Sequence, residues 1–362
     1  MGPGPVRGLA RVVLDTAEAV CDLMGSKVDQ NAVALRTSLD GVVRAALGQY
    51  DFSPEASVAL INVSENSTFR VDDPQTGRCA ALRVSRPDYH SKAAIESELV
   101  WMDALREAGI VKPSVPIAAR DGSLVTTVDV DPARPPRQVV LFEWISGAEP
   151  SAHGDLVPKF RLLGTLAADM HLHGISWQRP GWFTRYTVDY EVGLGPNALW
   201  GCWQDGLGMG SEEREILARV DSEICRRLTA YGKASERFGL AHSDLRLANL
   251  LVEGEHIHVI DFDDCGTTWY MYDFATAVSF IEDDPRVPEL MAAWVDGYND
   301  RRSLSPSDEE ILPTLVMFRR LLLVGWVGSH HEYAAEAAEL GAGYTAGTCD
   351  LAEAYLSGTY LR

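Results

Sequence analysis

From Leu39 to Tyr50 the chain reads as a helix, after which the apolar residues gather into short runs divided by polar turns. Those runs predict strands at Ser57 to Val63, Phe69 to Val71 and Cys79 to Val84, with the polar loop Ser64-Glu65-Asn66-Ser67-Thr68 joining the first two. Ile95, Leu99, Met102 and Leu105 then recur at intervals of three and four and predict a helix that also carries Glu96 and Glu98. A strongly apolar strand is expected from Val139 to Ile145, preceded by an exposed hairpin tip at Asp131 to Arg137, which is rich in Pro and Arg.

Beyond Gly147 the pattern turns helical. Phe160, Leu163, Leu166, Ala167 and Met170 share one face, and Ile216, Val220, Ile224 and Leu228 mark a long helix from Glu212 to Tyr231. Two further helical stretches, Ile311 to Trp326 and Tyr333 to Leu356, close the chain. At the start of the chain, a Gly/Pro leader precedes Val6, Leu9, Val13, Ala17, Val20 and Met24, again at helical spacing. Residues 1–38 are expected to form a helical extension packed on the strand-bearing region, with a homodimer contact as the alternative.

Composition narrows the partners. The 362 residues suffice for two domains, and 46% hydrophobic residues can bury a core. Acids outnumber bases by 52 to 32, a formal charge of -20, so nucleic acid is excluded as a partner and a cationic ligand is favoured. Six scattered cysteines form no paired motif and read as reduced thiols of a cytoplasmic protein. The run Leu321 to Val327 is too short to span a bilayer, so no membrane is expected.

The most informative stretch lies between Leu240 and Phe280. Asp244 is followed five positions later by Asn249, and Asp261 comes twelve beyond that. An isolated Asp and Asn would be turn or capping chemistry. Here they are flanked by strand-like Leu250 to Val252 and His256 to Phe262, with Glu253-Gly254-Glu255 as the turn between. Loop, strand, turn, strand and aspartate are the order of a kinase catalytic loop and its metal-binding acid. Phosphoryl transfer from ATP needs a carboxylate beside the attacking hydroxyl and Mg2+ to offset the phosphate charge. Asp244 is therefore the expected catalytic base, and Asn249 and Asp261 the expected metal ligands.

The stretches His-Ser-Asp-Leu-Arg-Leu-Ala-Asn, Ile-Asp-Phe-Asp-Asp and Tyr-Asp-Phe-Ala-Thr-Ala resemble the aminoglycoside phosphotransferase family of protein-kinase-like enzymes. Within it the likeness leans to the branch of the bacterial stress-response kinase and the type II homoserine kinases. The resemblance implies an α+β, two-lobed protein-kinase-like fold: a small antiparallel-sheet lobe over 39–147 that binds nucleotide, and a larger, mostly helical lobe over 148–362 with the catalytic loop and acceptor site. It further implies that Ser64, Asn66 and Ser67 cover the ATP phosphates, in a loop without the usual glycines, and that Arg83 stands where a lysine normally grips them. Glu98 becomes the partner of Arg83, with Glu96 as the competitor. Phe142 would back the adenine pocket, with the Glu143 carbonyl and the Ile145 amide facing the base.

The same likeness gives His242 a supporting role and makes Asp273 a brace for the loop. It places Arg246 where protein kinases use a lysine against the transferring phosphate, with a solvated charge as the alternative, and offers Asp263 or Asp264 as a further metal ligand. Glu282, Asp283 and Asp284 form an acidic cluster that either greets an amine or is merely solvated. The His171 and His173 pair reads as structural, since in a helix the two point to different faces. Three functions stay open: an ATP- and Mg2+-dependent phosphotransferase acting on a hydroxyl of a small amine-bearing metabolite or antibiotic, a Ser/Thr kinase of proteins or peptides, and a non-catalytic nucleotide-binding regulator.

Overall fold

Alternating burial builds the first lobe. In the computed structural model, which describes residues 39–131, 133–254 and 256–361, strand β2 (Asn66–Asp72) turns Phe69 and Val71 inward and Thr68 and Arg70 outward. It lies between β1 (Ser57–Val63) and β3 (Cys79–Ser85), and the antiparallel order continues through β6 (Arg137–Glu143) to β4 (Pro116–Ile117), with β5 (Thr126–Val128) also on β6. Helix α1 (39–47) packs Leu39, Val42, Val43 and Ala46 against Phe69, Leu82 and Leu141 of this sheet. The expected extension at residues 1–38, and any dimer contact it makes, lies outside the described residues.

The second helix, α2 (Lys92–Glu107), is capped by Ser91, whose side chain accepts from the Ala94 amide. Its inward face, Ile95, Leu99, Met102 and Leu105, does not join the sheet's own core. It merges with the core of the helical lobe, and Trp101 Nε1 donates to His173 there. Helix α2 is thus anchored to the helical lobe.

That lobe is built on α3 (Val157–Ser176), the short α4 (Tyr190–Leu194) and α5 (Ser211–Tyr231). After it come the strands β7 (Phe238–Ala241), β8 (Leu250–Glu253), β9 (His256–Val259) and β10 (Gly266–Trp269). The chain then finishes with α6 (Tyr272–Ala277), α7 (Val287–Asn299), α8 (Pro306–Glu310), α9 (Leu312–His330) and α10 (Ala335–Leu356). Strands pair as β7 with β10 and β8 with β9. Helix α3 crosses α7 at two glycines: a Cβ on Gly164 would stand 2.1 Å from the Trp294 carbonyl oxygen, and one on Gly297 1.8 Å from that of Arg161.

Four expectations change. The loop Ser64 to Thr68 shrinks to Ser64 and Glu65, because Asn66, Ser67 and Thr68 already pair with β3. The strand expected to reach Ile145 stops at Glu143. In α5 the fully buried residue of the first turns is Leu217, with Ile216 only partly covered. Finally, the apolar segment is much longer than Leu321 to Val327: Pro306–His330 spans 25 residues, long and apolar enough to cross a bilayer, yet 89% of its apolar window is buried within the protein as a core helix. Among the described residues, the cysteines Cys79, Cys202, Cys225, Cys265 and Cys349 are unpaired.

Candidate active site

Strand β7 delivers the chain into a loop that is held from below by α6. Ser243 takes a left-handed φ of 68°, and the amides of residues 242–245 turn to side-chain acceptors. Asp273 supplies them: Oδ1 accepts from the Ser243 amide at 2.7 Å and Oδ2 from the His242 amide at 3.3 Å. Thr276 Oγ1 accepts from the Leu245 amide at 2.9 Å. Asp273 Oδ2 is in turn 2.9 Å from His171 Nε2, whose Nδ1 meets the Tyr298 hydroxyl at 2.9 Å. His242 is fully buried and accepts the Asp244 amide at Nδ1 (3.2 Å), while burial lowers its pKa. All three histidines, His171, His173 and His242, therefore sit in packing and hydrogen-bonding positions.

Asp244 is held on both carboxylate oxygens. Asn249 Nδ2 donates to Oδ2 at 2.7 Å and to the Asp244 carbonyl at 2.9 Å, and Arg319 Nη2 of α9 donates to Oδ1 at 2.6 Å. Arg246 lies beside them, with Nε 3.6 Å from Asp244 Oδ2 and Nη1 2.7 Å from Glu336 of α10. Arg246 is thus a largely buried, paired cation, 16% exposed, and not a solvated charge.

Asp261 follows β9 in a left-handed conformation (φ 60°) and projects its side chain, 47% exposed, into the space between the lobes. Partial desolvation there and the nearby Asp263 push its carboxyl up to about 7, against the pull of Arg83. The Ile260 amide donates to the Asn249 carbonyl at 2.9 Å, so Asn249 and Asp261 are tied together through the backbone. With Asn249 Nδ2 spent on Asp244, its side-chain oxygen remains as an acceptor. A neutral amide oxygen next to a carboxylate short of positive charge suits a hard divalent cation.

On the other wall, Arg83 of β3 meets Glu98 of α2 in a two-pronged ion pair, Nη1 to Oε1 at 2.8 Å and Nη2 to Oε2 at 2.7 Å. Glu96 is excluded from this role, since it faces outward to Lys92. Burial alone would lower the Arg83 pKa, but Glu98 and Asp263 outweigh it and raise it. Arg83 also stacks over Phe142, with 5.3 Å from the guanidinium carbon to the ring centre. Its Nη1 stands 3.9 Å from Asp261 Oδ1 and 3.6 Å from Asp263 Oδ1, which links the sheet to the acids that follow β9.

The hairpin and the strand to the hinge are placed less simply. Ser64 is at the tip, whereas Asn66 and Ser67 are buried strand residues, and Asn66 Nδ2 donates to Asp263 Oδ2 at 2.8 Å. Glu65, at the tip itself, reaches across to His330 of α9 at 2.6 Å and to Arg86 at 2.6 Å. At the end of β6 the Glu143 amide is taken by the Val115 carbonyl at 2.8 Å, and Ile145 lies just past the strand in the connection to the helical lobe. The acidic cluster dissolves as a unit: Glu282 is buried against Arg320 and Tyr344, and Asp284 is paired with Arg286.

Between these walls is a cavity of about 60 Å³ that includes Asp244, Arg246, Arg319, Asp264, Trp200 and Trp326. A larger cavity of about 250 Å³ lies on the outer side of the sheet lobe, by Val42, Val128 and Arg137, away from every residue of the catalytic loop.

Comparison with known proteins places this geometry. The model of the phosphotransferase enzyme family matches residues 58–306. The chain belongs to the phosphotransferase enzyme family. A solved structure described as the microcompartment-associated aminopropanol kinase is 47% identical, covers 89% of this chain and 98% of its own, and superposes with a TM-score of 0.80. An amicoumacin kinase, solved in complex with AMP-PNP, Ca2+ and Ami, shares the fold at 21% identity with a TM-score of 0.70, over 88% of this chain and 95% of its own. A homoserine kinase from Caulobacter sp. (strain K31) is 27% identical over 76% of this chain and 82% of its own length. This phosphotransferase is an ATP-dependent kinase with the two-lobed protein-kinase-like fold.

Sequence reasoning did not single out every residue that the phosphotransferase site brings together. Arg319 touches Asp244 from a helix 75 positions later, and its one signal was a pair of arginines, Arg319 and Arg320, inside an apolar run. Asp264 is held by two phenols, Tyr89 and Tyr186, which carried no signal at all. Between Asp261 and α6 stands β10, a strand of four residues too short to register in the sequence pattern.

Proposed function

We propose that this phosphotransferase moves the γ-phosphoryl group of ATP to the hydroxyl of a small amino alcohol. The observation that carries the reading is the setting of Asp244, held on both carboxylate oxygens in the wall of a cavity between the lobes. The cavity sets a second acid, Asp264, beside Asp244, which suits an acceptor that carries both a hydroxyl and a cation. The 47% identity to a structure described as an aminopropanol kinase supports the same class, and an excess of acids across the chain favours a cationic acceptor.

In this mechanism Asp244 orients the acceptor hydroxyl and takes its proton as the oxygen attacks the γ-phosphorus, while the bond to the β,γ-bridging oxygen breaks and ADP leaves. Asn249 and Asp261 would hold Mg2+, which when bound offsets charge on the ATP phosphates. Arg83, fixed by Glu98, lies on the phosphate side, with Ser64 at the hairpin tip and Asn66 and Ser67 stiffening the strand behind it. Arg246 faces the transferring group and adds positive charge where negative charge spreads. Adenine sits against Phe142, with the backbone at Glu143 and Ile145 as its hydrogen-bonding edge. A protein acceptor is disfavoured by the seven residues 265–271, too few for a docking segment, between the turn at Asp264 and α6.

The test is an ATP-consumption screen over amino alcohols, homoserine, sugars, aminoglycosides and peptide antibiotics. The reading expects turnover with short amino alcohols above all others. Turnover confined to aminoglycosides or sugars would overturn it.

A further inference from the structure

The acceptor cavity holds three carboxylates, and they are not equivalent. Asp244 is paired with Arg319, and Glu65 with Arg86 and His330. Asp264 is held by two phenols among the described residues: the Tyr89 hydroxyl donates to Oδ1 at 2.6 Å and the Tyr186 hydroxyl at 2.8 Å. Among the described residues, no ion pair joins Asp264 to a Lys, Arg or His.

Those phenols are themselves fixed. Trp200 Nε1 donates to the Tyr89 hydroxyl at 2.9 Å, and the Tyr186 hydroxyl also donates to the Asp264 carbonyl at 3.1 Å. Tyr89 comes from the sheet lobe and Tyr186 from the helical lobe, so the carboxylate is positioned across the cleft. A partly buried carboxylate without a counter-ion is costly, and the cost disappears when a ligand supplies the cation. Trp200 and Trp326 line the same cavity, and indole rings attract an ammonium group. The two arginines in the cavity are each paired with another acid, Arg319 with Asp244 and Arg246 with Glu336.

We infer that Asp264 is the residue that selects an amine-bearing acceptor, binding its ammonium group while Asp244 binds its hydroxyl. The inference rests on the phosphotransfer reading above and names the specificity-determining contact within it. An alcohol of the same shape without the amine leaves Asp264 unpaired, and a site built on such a polar contact rejects that analogue by about a hundredfold or more.

The experiment compares 1-aminopropan-2-ol with propane-1,2-diol as acceptors for wild type and Asp264→Asn, whose amide oxygen still accepts from both phenols. Wild type is expected to prefer the amine by about a hundredfold in kcat/KM, and Asp264→Asn to lose most of that preference through a higher KM for the amine alone. Tyr186→Phe, a milder change, should move the ratio the same way. An unchanged ratio in both variants overturns the assignment. So does an unchanged ratio with a raised magnesium half-saturation constant in Asp264→Asn, which would make Asp264 a metal ligand. If wild type phosphorylates neither alcohol, the amino-alcohol reading above fails. Calorimetric titration of 1-aminopropan-2-ol in the presence of a non-hydrolysable ATP analogue then decides on Asp264 by itself: equal binding to wild type and Asp264→Asn, or no binding to either, overturns it.

Discussion

Arg319 donates from Nη2 to Asp244 Oδ1 at 2.6 Å, and its other nitrogens reach Tyr272 and Ser279, so a helix near the end of the chain fixes the side chain at the centre of the catalytic loop. Of the two carboxylate oxygens, this leaves little freedom to either, because Asn249 holds the other. Arg319→Gln should therefore lower kcat by about a hundredfold, the cost of a misplaced catalytic group, while the KM for ATP changes little. Steady-state kinetics against ATP and 1-aminopropan-2-ol check it. Equal kcat in the variant would mean that Asp244 is positioned without Arg319.

Arg83 and Glu98 are buried, 7% and 0% exposed at their side chains, so removing one partner strands the other. Arg83→Met should cost about 3–5 kcal/mol of stability, whereas Arg83→Lys keeps a charge but loses one prong and should cost less. Both should raise the KM for ATP. Denaturant unfolding with parallel kinetics is the measurement, and a Met variant as stable as wild type would refute the pairing's importance.

The crossing of α3 and α7 supports the site indirectly, since α3 carries His171 and α7 carries Tyr298, the pair behind Asp273. Neither crossing glycine has room for a methyl group. Gly164→Ala and Gly297→Ala should each destabilise by about 1–3 kcal/mol by forcing backbone apart. A thermal shift of less than a degree in both would show that the helices separate freely.

His90 offers a pH test. It is packed on Tyr186, its side chain 4% exposed, and burial holds its pKa down to about 4 from the ordinary 6.5, although Asp263 favours the cation. Between those values the unfolded chain binds a proton that the folded chain refuses. The group's contribution is therefore complete above pH 6.5 and is lost as pH falls toward 4, a total of about 3 kcal/mol. His90→Gln should lose less stability than wild type between pH 7 and pH 4, by urea unfolding. Parallel pH profiles for the two proteins would contradict the argument.

The chemistry was legible where it is local. Asp244, Asn249 and Asp261 lie within one loop and hairpin, and their spacing alone brings them to one place. Arg83 and Glu98 were legible because a strand and the helix after it present residues at predictable phases. Asn66 was misread as loop because Ser, Asn and Thr are weak strand formers, and only a distant carboxylate, Asp263, accounts for its burial. The strands β7 and β10 have four residues each and are joined across the catalytic loop, so no alternation could reveal them. Helix α9 is buried on nearly every side and shows no stripe, which hid the direction in which Arg319 points. Tyr89, Tyr186 and Asp264 meet only when the two lobes are packed together.

The most direct measurement is the rate at which phosphorus NMR detects a phosphomonoester formed from ATP and 1-aminopropan-2-ol by wild type and by Asp244→Asn, with ATP affinity measured on the same samples. Phosphoester formation by wild type, a rate about a thousandfold or more lower in Asp244→Asn, and nearly equal ATP binding are expected if Asp244 accepts the hydroxyl proton. Wild-type rates in Asp244→Asn would contradict that role outright.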